Sequence, residues 1–313
     1  MQTASRYSVI PERGSAAILL STFNGSCYLP EMLESLNRQT FASWTLYWRD
    51  DGSTDDSASI VRNSRLVGDL VEIPTECRLG PARSFLALLR EASGAHGSYH
   101  FADQDDIWLP EKVAFAHAAV SEHELPALFH CRQELVGPDG AHLGHSRVAG
   151  RGAFENALVE NIVVGCSAAF NDPAAALGAL GSPDNVLMHD WWMYLISTCY
   201  GSVRYDPTPR ILYRQHGANV VGAAHPGLRG FAIKIRRHLG RPAGSQPLRS
   251  QLRDFLAIHG PLMDAERRAE IDRLVLPSDG LVDRLYLALR PGVWRQSMTD
   301  QALLRLILLT GRY

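Results

Sequence analysis

Residues 16–39 read AAILLSTFNGSCYLPEMLESLNRQ, and this stretch decides the fold class. Ala16–Ser21 is a short, unbroken apolar run that stops at the polar turn Thr22-Phe23-Asn24-Gly25, the pattern of a parallel strand buried on both faces. Leu29, Met32, Leu33 and Leu36 then recur at helical spacing, so an amphipathic helix is predicted over Leu29–Gln39. The alternation continues downstream. A strand over Trp44–Trp48 halts at Arg49-Asp50-Asp51-Gly52-Ser53, and a helix follows over Asp55–Ser64. A strand over Leu70–Ile73 precedes a helix over Pro81–Ala92, which has Phe85, Leu86, Leu88 and Leu89 available to the core. A fourth strand, Ser98–Ala102, breaks into Asp103-Gln104-Asp105-Asp106. Strands alternating with helices predict a parallel, doubly wound sheet, in which ligands bind outside the carboxyl ends of the strands. Three of the four predicted strands end in polar turns, so the acidic turns lie where this fold places chemistry.

The composition supports a globular α/β protein. Of 313 residues, 46% are hydrophobic and 20% charged, which leaves ample apolar material for a core. The net charge of -2 conceals an asymmetry: residues 226–313 carry 15 basic and 8 acidic side chains, a net +7. The acidic remainder argues against a nucleic-acid protein, whereas the basic tail suits an anionic membrane surface. Within that tail, residues 228–241 set Phe231, Ile235 and Leu239 at i, i+4 and i+8 among cations. Such a helix can lie among headgroups or pack on the catalytic domain, and both readings stay open. Five scattered cysteines without a CxxC pair suggest reduced thiols in a cytosolic compartment. The N-terminus lacks the apolar run of a secretory signal, and no stretch is long and apolar enough to span a bilayer. A cytoplasmic location is therefore expected, with peripheral contact on the inner face of the cell membrane.

The strongest chemical signal is Asp103-Gln104-Asp105-Asp106. Three carboxylates in four residues repel one another, and a hard divalent cation, Mg²⁺ or Mn²⁺, would relieve that repulsion. An acidic surface turn that caps the next helix is the alternative. At Asp50-Asp51-Gly52-Ser53 a carboxylate can accept hydrogen bonds from a pyrimidine N–H or a ribose hydroxyl, while Gly52 permits close backbone approach. Here the alternative is a turn in which Ser53 or Thr54 caps a helix.

The segments LLSTFNGSCYLPEMLESLNRQT, DDGSTDDS and FADQDDIWLPEKV resemble glycosyltransferase family 2, the large inverting GT-A group, in order and spacing. The resemblance covers residues 14–225. NIVVGCSAAFN, HDWW and ILYRQHGANVVG are most similar to the bacterial rhamnosyltransferase-like members. It implies a GT-A type, Rossmann-like, mostly parallel sheet flanked by helices, with a lead over 1–14, a catalytic domain over 15–225 and a basic helical extension over 226–313. The boundary falls near Gly222–Gly227.

The resemblance also implies roles. Thr22 and Phe23, with Asn24 beside them, would hold the nucleotide, partly through backbone, and Asp51 would read the base. Asp103 would contact the ribose, with Gln104 in the same motif, and Asp105 the metal, while Asp106 would cap the helix beginning near Pro110. Arg83 is the best match for a diphosphate contact. Arg78 is second, since Arg-Leu-Gly stands where relatives show Asn-x-Gly. The general base that takes the acceptor's proton maps to Asp190, although His189 precedes it where the family has an acid. Trp191 and Trp192 offer flat faces to a sugar, and core packing explains at least one equally well. Asn161–Phe170 would line the pocket, with Gly165 leaving room for a sugar. His216 would serve as a further metal ligand or phosphate contact alongside Arg214, against the ordinary alternative of a structural histidine.

The activity so implied is transfer of a sugar from a nucleoside diphosphate sugar to a polysaccharide or lipid-linked glycan acceptor, in cell-surface polysaccharide synthesis. Deoxythymidine diphosphate rhamnose is the preferred donor and a uridine diphosphate hexose the rival. Nucleotidyl transfer would normally show a Gly-rich phosphate loop, which STFNGS is not. A non-catalytic sugar-binding relative is opposed by the intact set Asp51, Asp103, Asp105 and Asp190.

Overall fold

The apolar run at residues 16–21 becomes the centre of β1 (Glu12–Thr22), which lies parallel to both β2 (Trp44–Asp50) and β4 (His96–Ala102). The computed structural model describes residues 12–217, 246–276, 280–289, 292–311 and 313. Strand period explains the two cores. Ala17 and Leu19 face one hydrophobic cluster, with α3 (Pro81–Ala92) and α7 (His189–Tyr200). Ala16, Ile18 and Leu20 face the other, with α1 (Leu29–Asn37) and α4 (Lys112–Val120). All five residues from Ala16 to Leu20 are fully buried, which is why the run carries no polar alternation.

The described residues form a seven-stranded sheet, β10-β6-β9-β4-β1-β2-β3, with β3 (Asp69–Glu72) at one edge and β10 (Ser202–Asp206) at the other. Helix α2 (Ser57–Arg62) connects β2 to β3. The sheet is mostly parallel. The exception is β9 (Ala168–Asn171), which runs antiparallel between β4 and β6 (Ala127–Cys131). Part of the stretch expected to line the sugar pocket is therefore a central, buried strand: Ala168, Ala169 and Phe170 are fully enclosed.

A second, four-stranded sheet has the order β5-β11-β7-β8, built from β5 (Ile107–Trp108), β7 (Glu134–Val136), β8 (His142–His145) and β11 (Ile211–Arg214). Its pairing of β11 with β5 draws the chain beyond residue 211 back onto the acidic turn at 103–106. Between the sheets' strands lie the short helices α5 (Phe154–Ala157) and α6 (Asp172–Gly178).

The described part of the tail comprises α8 (Pro247–His259), α9 (Ala265–Val275), α10 (Leu281–Leu289) and α11 (Met298–Thr310). These helices share the core on one face of the seven-stranded sheet. Phe255 packs edge-on to Trp192 at 5.1 Å, Tyr200 donates to the His259 carbonyl at 3.1 Å, and Asn156 Nδ2 donates to the Trp294 carbonyl at 2.9 Å. Leu281, Val282, Leu285, Tyr286 and Leu289 form an exposed apolar arc along α10. The segment 228–241 and the boundary expected at Gly222–Gly227 lie outside the described residues. Among those residues no helix is long and apolar enough to cross a membrane.

Candidate active site

The strand-end turns meet at the carboxyl ends of β1, β2 and β4. Thr22 is buried, accepts from Trp48 Nε1 at 3.0 Å and donates to Asp50 Oδ1 at 2.9 Å. Asn24 adopts the left-handed backbone (φ 49°), and its Oδ1 accepts the Thr54 N–H at 2.8 Å. Gln104 brackets Phe23, accepting its N–H at 2.9 Å and donating to its carbonyl at 3.0 Å. A Cβ on Gly25 would come within 2.2 Å of the Gln104 amide, so this contact needs glycine there. Gln104 thus ties the first turn to the acidic turn through both ends of its amide.

Asp51 is buried and already engaged. Its Oδ1 accepts from Arg49 at 2.5 Å and from the Leu79 N–H at 2.7 Å, and its Oδ2 accepts the Gly80 N–H at 2.7 Å. The carboxylate anchors the backbone at residues 79–80. Asp50, not a helix cap, claims Ser53: its oxygens accept the Ser53 N–H at 2.8 Å and hydroxyl at 2.5 Å. The two arginine candidates exchange places. Arg78 stacks on Phe23 with its guanidinium 3.8 Å from the ring centroid. Arg83 turns outward to a loose surface pairing with Asp184 at 3.8 Å.

In the acidic turn the four residues diverge. His216 Nε2 lies 2.6 Å from Asp105 Oδ2, and its ring stacks on Tyr28 at 5.1 Å. Arg214 is buried and clamps the region, donating to the carbonyls of Asp105 and Pro138 (2.9 Å each) and to Glu31 Oε2 at 2.5 Å. It is committed to these groups rather than to a phosphate. Asp106 does not cap a helix, since α4 has Glu111 at its N-cap and no side-chain cap bond. Instead its Oδ1 accepts the Arg214 N–H at 3.0 Å, and its buried Oδ2 has no hydrogen-bond partner among the described residues.

Asp103, Asp106 and Cys166 bring one ligand atom each within 4.8 Å of one another. Burial, and then the charges of Asp105 and Asp190, push Asp103 up to about 7. Burial and the charges of Asp105 and Asp103 raise Asp106 well above the carboxylate range. Crowded, desolvated carboxylates of this kind suit a divalent cation.

Asp190 is the second residue of α7 and is 4% exposed. Its Oδ1 accepts from Asn161 Nδ2 at 2.9 Å and from the Trp191 N–H at 2.7 Å. Burial lifts its carboxyl to about 7, despite hydrogen bonds from the Trp191 and Gly165 backbone and Asn161 that pull the other way. The Asp190 charge is among the influences that raise Asp103, after burial and Asp105.

Its neighbours turn away. His189 is buried against Phe85 (4.0 Å) and Phe101 (4.5 Å), and burial holds it down to about 3, hence neutral. It cannot replace the family's acid. Trp192 is fully buried against Phe255 and His259, and Trp191 donates its Nε1 to the Ala157 carbonyl at 2.6 Å. Core packing claims Trp192, which is withdrawn from the sugar pocket. Gly165 is buried too; a Cβ there would come within 2.6 Å of His189 Nε2, so its smallness serves the seating of α7 rather than a sugar.

Several residues at the site carry no mark in the sequence. Asn161 and Cys166 sit in a stretch readable only as a small-residue pocket wall, and Arg49 is hidden in a strand.

Residues 17–132 match the family model "Glycosyl transferase family 2". A dTDP-rhamnosyl transferase of Shigella flexneri, RfbG, is 27% identical over 220 residues, covering 65% of this chain and 74% of that protein. Among solved structures, S. aureus TarS 1-349 in complex with UDP-GlcNAc aligns with a TM-score of 0.55 at 15% identity, over 96% of this chain and 89% of that one. The same protein in complex with UDP gives 0.53 at 15% identity, over 84% and 70%. These likenesses concern the fold. Over residues 17–132 the chain thus matches glycosyl transferase family 2, and its architecture is a GT-A fold.

Proposed function

We propose that this protein is an inverting glycosyltransferase that uses dTDP-rhamnose to extend a polysaccharide or lipid-linked glycan at the cell surface. The observation that carries the reading is Asp190, a buried carboxyl in the first turn of α7 that accepts from Asn161 and the Trp191 N–H and that burial lifts to about 7. A base poised there takes the proton of an acceptor hydroxyl as its oxygen bonds to the anomeric carbon. The bond from that carbon to the diphosphate breaks, and the nucleoside diphosphate leaves with the electron pair. One displacement inverts the centre. Asn161 and the Trp191 N–H fix the carboxylate's orientation.

Mg²⁺ or Mn²⁺ would be held by carboxylates of the acidic turn: Asp103 and Asp106, which lie together beside Cys166, and Asp105 with its partner His216. Such a cation supplies Lewis-acid neutralisation of the leaving diphosphate. Thr22, Phe23, Asn24, Asp51 and Asp103 form the nucleotide end, with Arg78 in place of Arg83 as the cation nearest Phe23.

The rhamnosyl relative favours deoxythymidine diphosphate rhamnose over a uridine diphosphate hexose. Residues 15–225 are the catalytic domain in this reading, and 226–313 its helical extension. Peripheral contact with the inner face of the membrane is supported by the extension's +7 charge and by the exposed apolar arc of α10. The deciding experiment incubates the purified protein with a panel of donors and an acceptor extract, and assays released nucleoside diphosphate. Release from dTDP-rhamnose supports the reading, release from UDP-hexoses alone replaces the donor, and no release from any donor overturns it.

A further inference from the structure

The loop that enters α11 and the first turns of that helix frame an open cavity of about 380 Å³, with Trp294, Arg295, Gln296, Met298, Gln301 and Arg305 on its walls. The loop is held from several sides. Asn156 Nδ2 donates to the Trp294 carbonyl at 2.9 Å, Arg295 Nε to the Val159 carbonyl at 3.0 Å, and the Gln296 N–H to Glu160 Oε2 at 2.7 Å. Gln301 Oε1 accepts the Arg295 N–H at 2.7 Å, which ties the loop to α11. The anchoring stretch 156–160 runs straight into Asn161, the donor to Asp190, and Trp191 is fixed to the same stretch at Ala157. Followed through Val159 and Asn161, the path from Arg295 to Asp190 spans no more than about 20 Å.

The lining has one sign of charge. Among the described residues, two arginines and no carboxylate line the cavity. The acids adjoining the loop are engaged: Glu160 accepts from Asn156 and the Gln296 N–H, and Asp300 accepts from the Ser297 hydroxyl at 2.7 Å. Guanidinium groups without an acid among them select an anion, and their fork matches phosphate oxygens. An apolar stripe leads away from the cations. Met298, Ala302, Leu306 and Leu309 recur at i, i+4, i+8 and i+11 and are all exposed, so they share one face of α11. A free phosphate would use the arginines and leave that face wet. A phosphate that carries a lipid chain would use both.

We propose that this cavity binds the phosphate or diphosphate group of a lipid-linked acceptor. Arg295 and Arg305 hold the phosphate, the lipid chain follows the α11 stripe, and the glycan extends toward Asp190. The binding stands on the cavity itself; only its use as an acceptor site rests on the glycosyltransferase reading. The donor end, at the turns after β1 and β2, shares no residue with it.

The test titrates the full-length protein, in millimolar Mg²⁺ with saturating dTDP, with farnesyl diphosphate, inorganic pyrophosphate and farnesol. Calorimetry gives affinity, and tryptophan fluorescence reports the site. Farnesyl diphosphate should bind, pyrophosphate about tenfold more weakly, and farnesol more weakly than farnesyl diphosphate. Arg305→Glu should weaken farnesyl diphosphate about tenfold or more. Leu306→Asp should weaken farnesyl diphosphate but not pyrophosphate, and Trp294→Phe should remove the fluorescence change. Arg305 and Leu306 are exposed, so both variants should fold and keep the parent's affinity for dTDP. No binding of farnesyl diphosphate, binding unchanged by Arg305→Glu, or displacement by dTDP would overturn the site. Equal affinity for pyrophosphate and farnesyl diphosphate would overturn the lipid. A protein that binds farnesyl diphosphate as stated yet releases nucleotide from no donor keeps the site and sinks the glycosyltransferase reading.

Discussion

Replacing Asp190 with asparagine should stabilise the protein while disabling it. A carboxyl held at about 7 rather than its ordinary 3.8 burdens the folded state by about 4 kcal/mol once it is ionised. The sign follows from the proton count. Below pH 3.8 the group is protonated in both states and costs nothing. Between 3.8 and 7 the unfolded chain gives up its proton first, so stability falls as pH rises, and above 7 the loss is constant.

Asparagine keeps an Oδ1 to accept from Asn161 and the Trp191 N–H, and it carries no charge. Its amide nitrogen cannot accept a backbone hydrogen bond, which gives back about 1 kcal/mol if the Gly165 bond falls on that atom. The net advantage of Asp190→Asn is thus near zero at pH 4 and about 3 kcal/mol at pH 8. Urea denaturation of both proteins at half-unit steps from pH 4 to 8.5, followed by tryptophan fluorescence, reads this directly. Turnover should fall by roughly 10²–10⁴, with nucleotide affinity kept. In the parent, kcat/KM should fall about tenfold for each pH unit below 7. A stability difference flat across pH, or a less stable variant at pH 8, would refute the claim that burial loads this carboxylate.

Chelation with EDTA should stop turnover and added Mn²⁺ or Mg²⁺ restore it, while Asp105→Asn should not recover; full activity in chelated buffer would remove the metal. Trp192→Ala should cost about 3–5 kcal/mol in chemical denaturation, with acceptor KM unchanged in the folded fraction, because the ring is core rather than pocket. Gly25→Ala should displace Gln104 from Phe23, lowering stability by about 1–2 kcal/mol and raising donor KM, both measurable on one preparation. The protein should sediment with anionic but not neutral vesicles, weakened by salt, and Leu285→Asp with Tyr286→Asp should abolish this; binding unaffected by the pair would clear α10 of the role.

Local information carried the α/β sheet region a long way. The run at 16–20, the helical spacing of Leu29, Met32, Leu33 and Leu36, and the acids closing β2 and β4 are all properties of neighbouring residues. Buried parallel strands and their terminal turns leave their period in short windows, so the order of elements and the position of Asp103 and Asp105 just past a strand end were legible, whereas Asp190 was marked only by the family resemblance. Strand ends were less so: β1 begins at Glu12, ahead of the apolar run, and β4 at His96, because sheet pairing extends beyond the residues whose hydrophobicity announces it.

What only the tertiary structure decided concerns partners distant in the chain. His216 reaches Asp105 because β11 pairs with β5, and Asp51 is taken by Arg49 and the backbone at 79–80. Arg78 reaches Phe23 while Arg83 does not, although both lie near the start of α3. The adjacent pair Trp191 and Trp192 looked alike, yet one helix step separates a partly buried ring from one locked against α8. Lys112, unmarked in the sequence, is a buried cation over the Trp108 ring. A sequence fixes each side chain's donors, charge and volume, but which of them lose water, and beside whom, depends on how sheets and helices separated by a hundred residues pack.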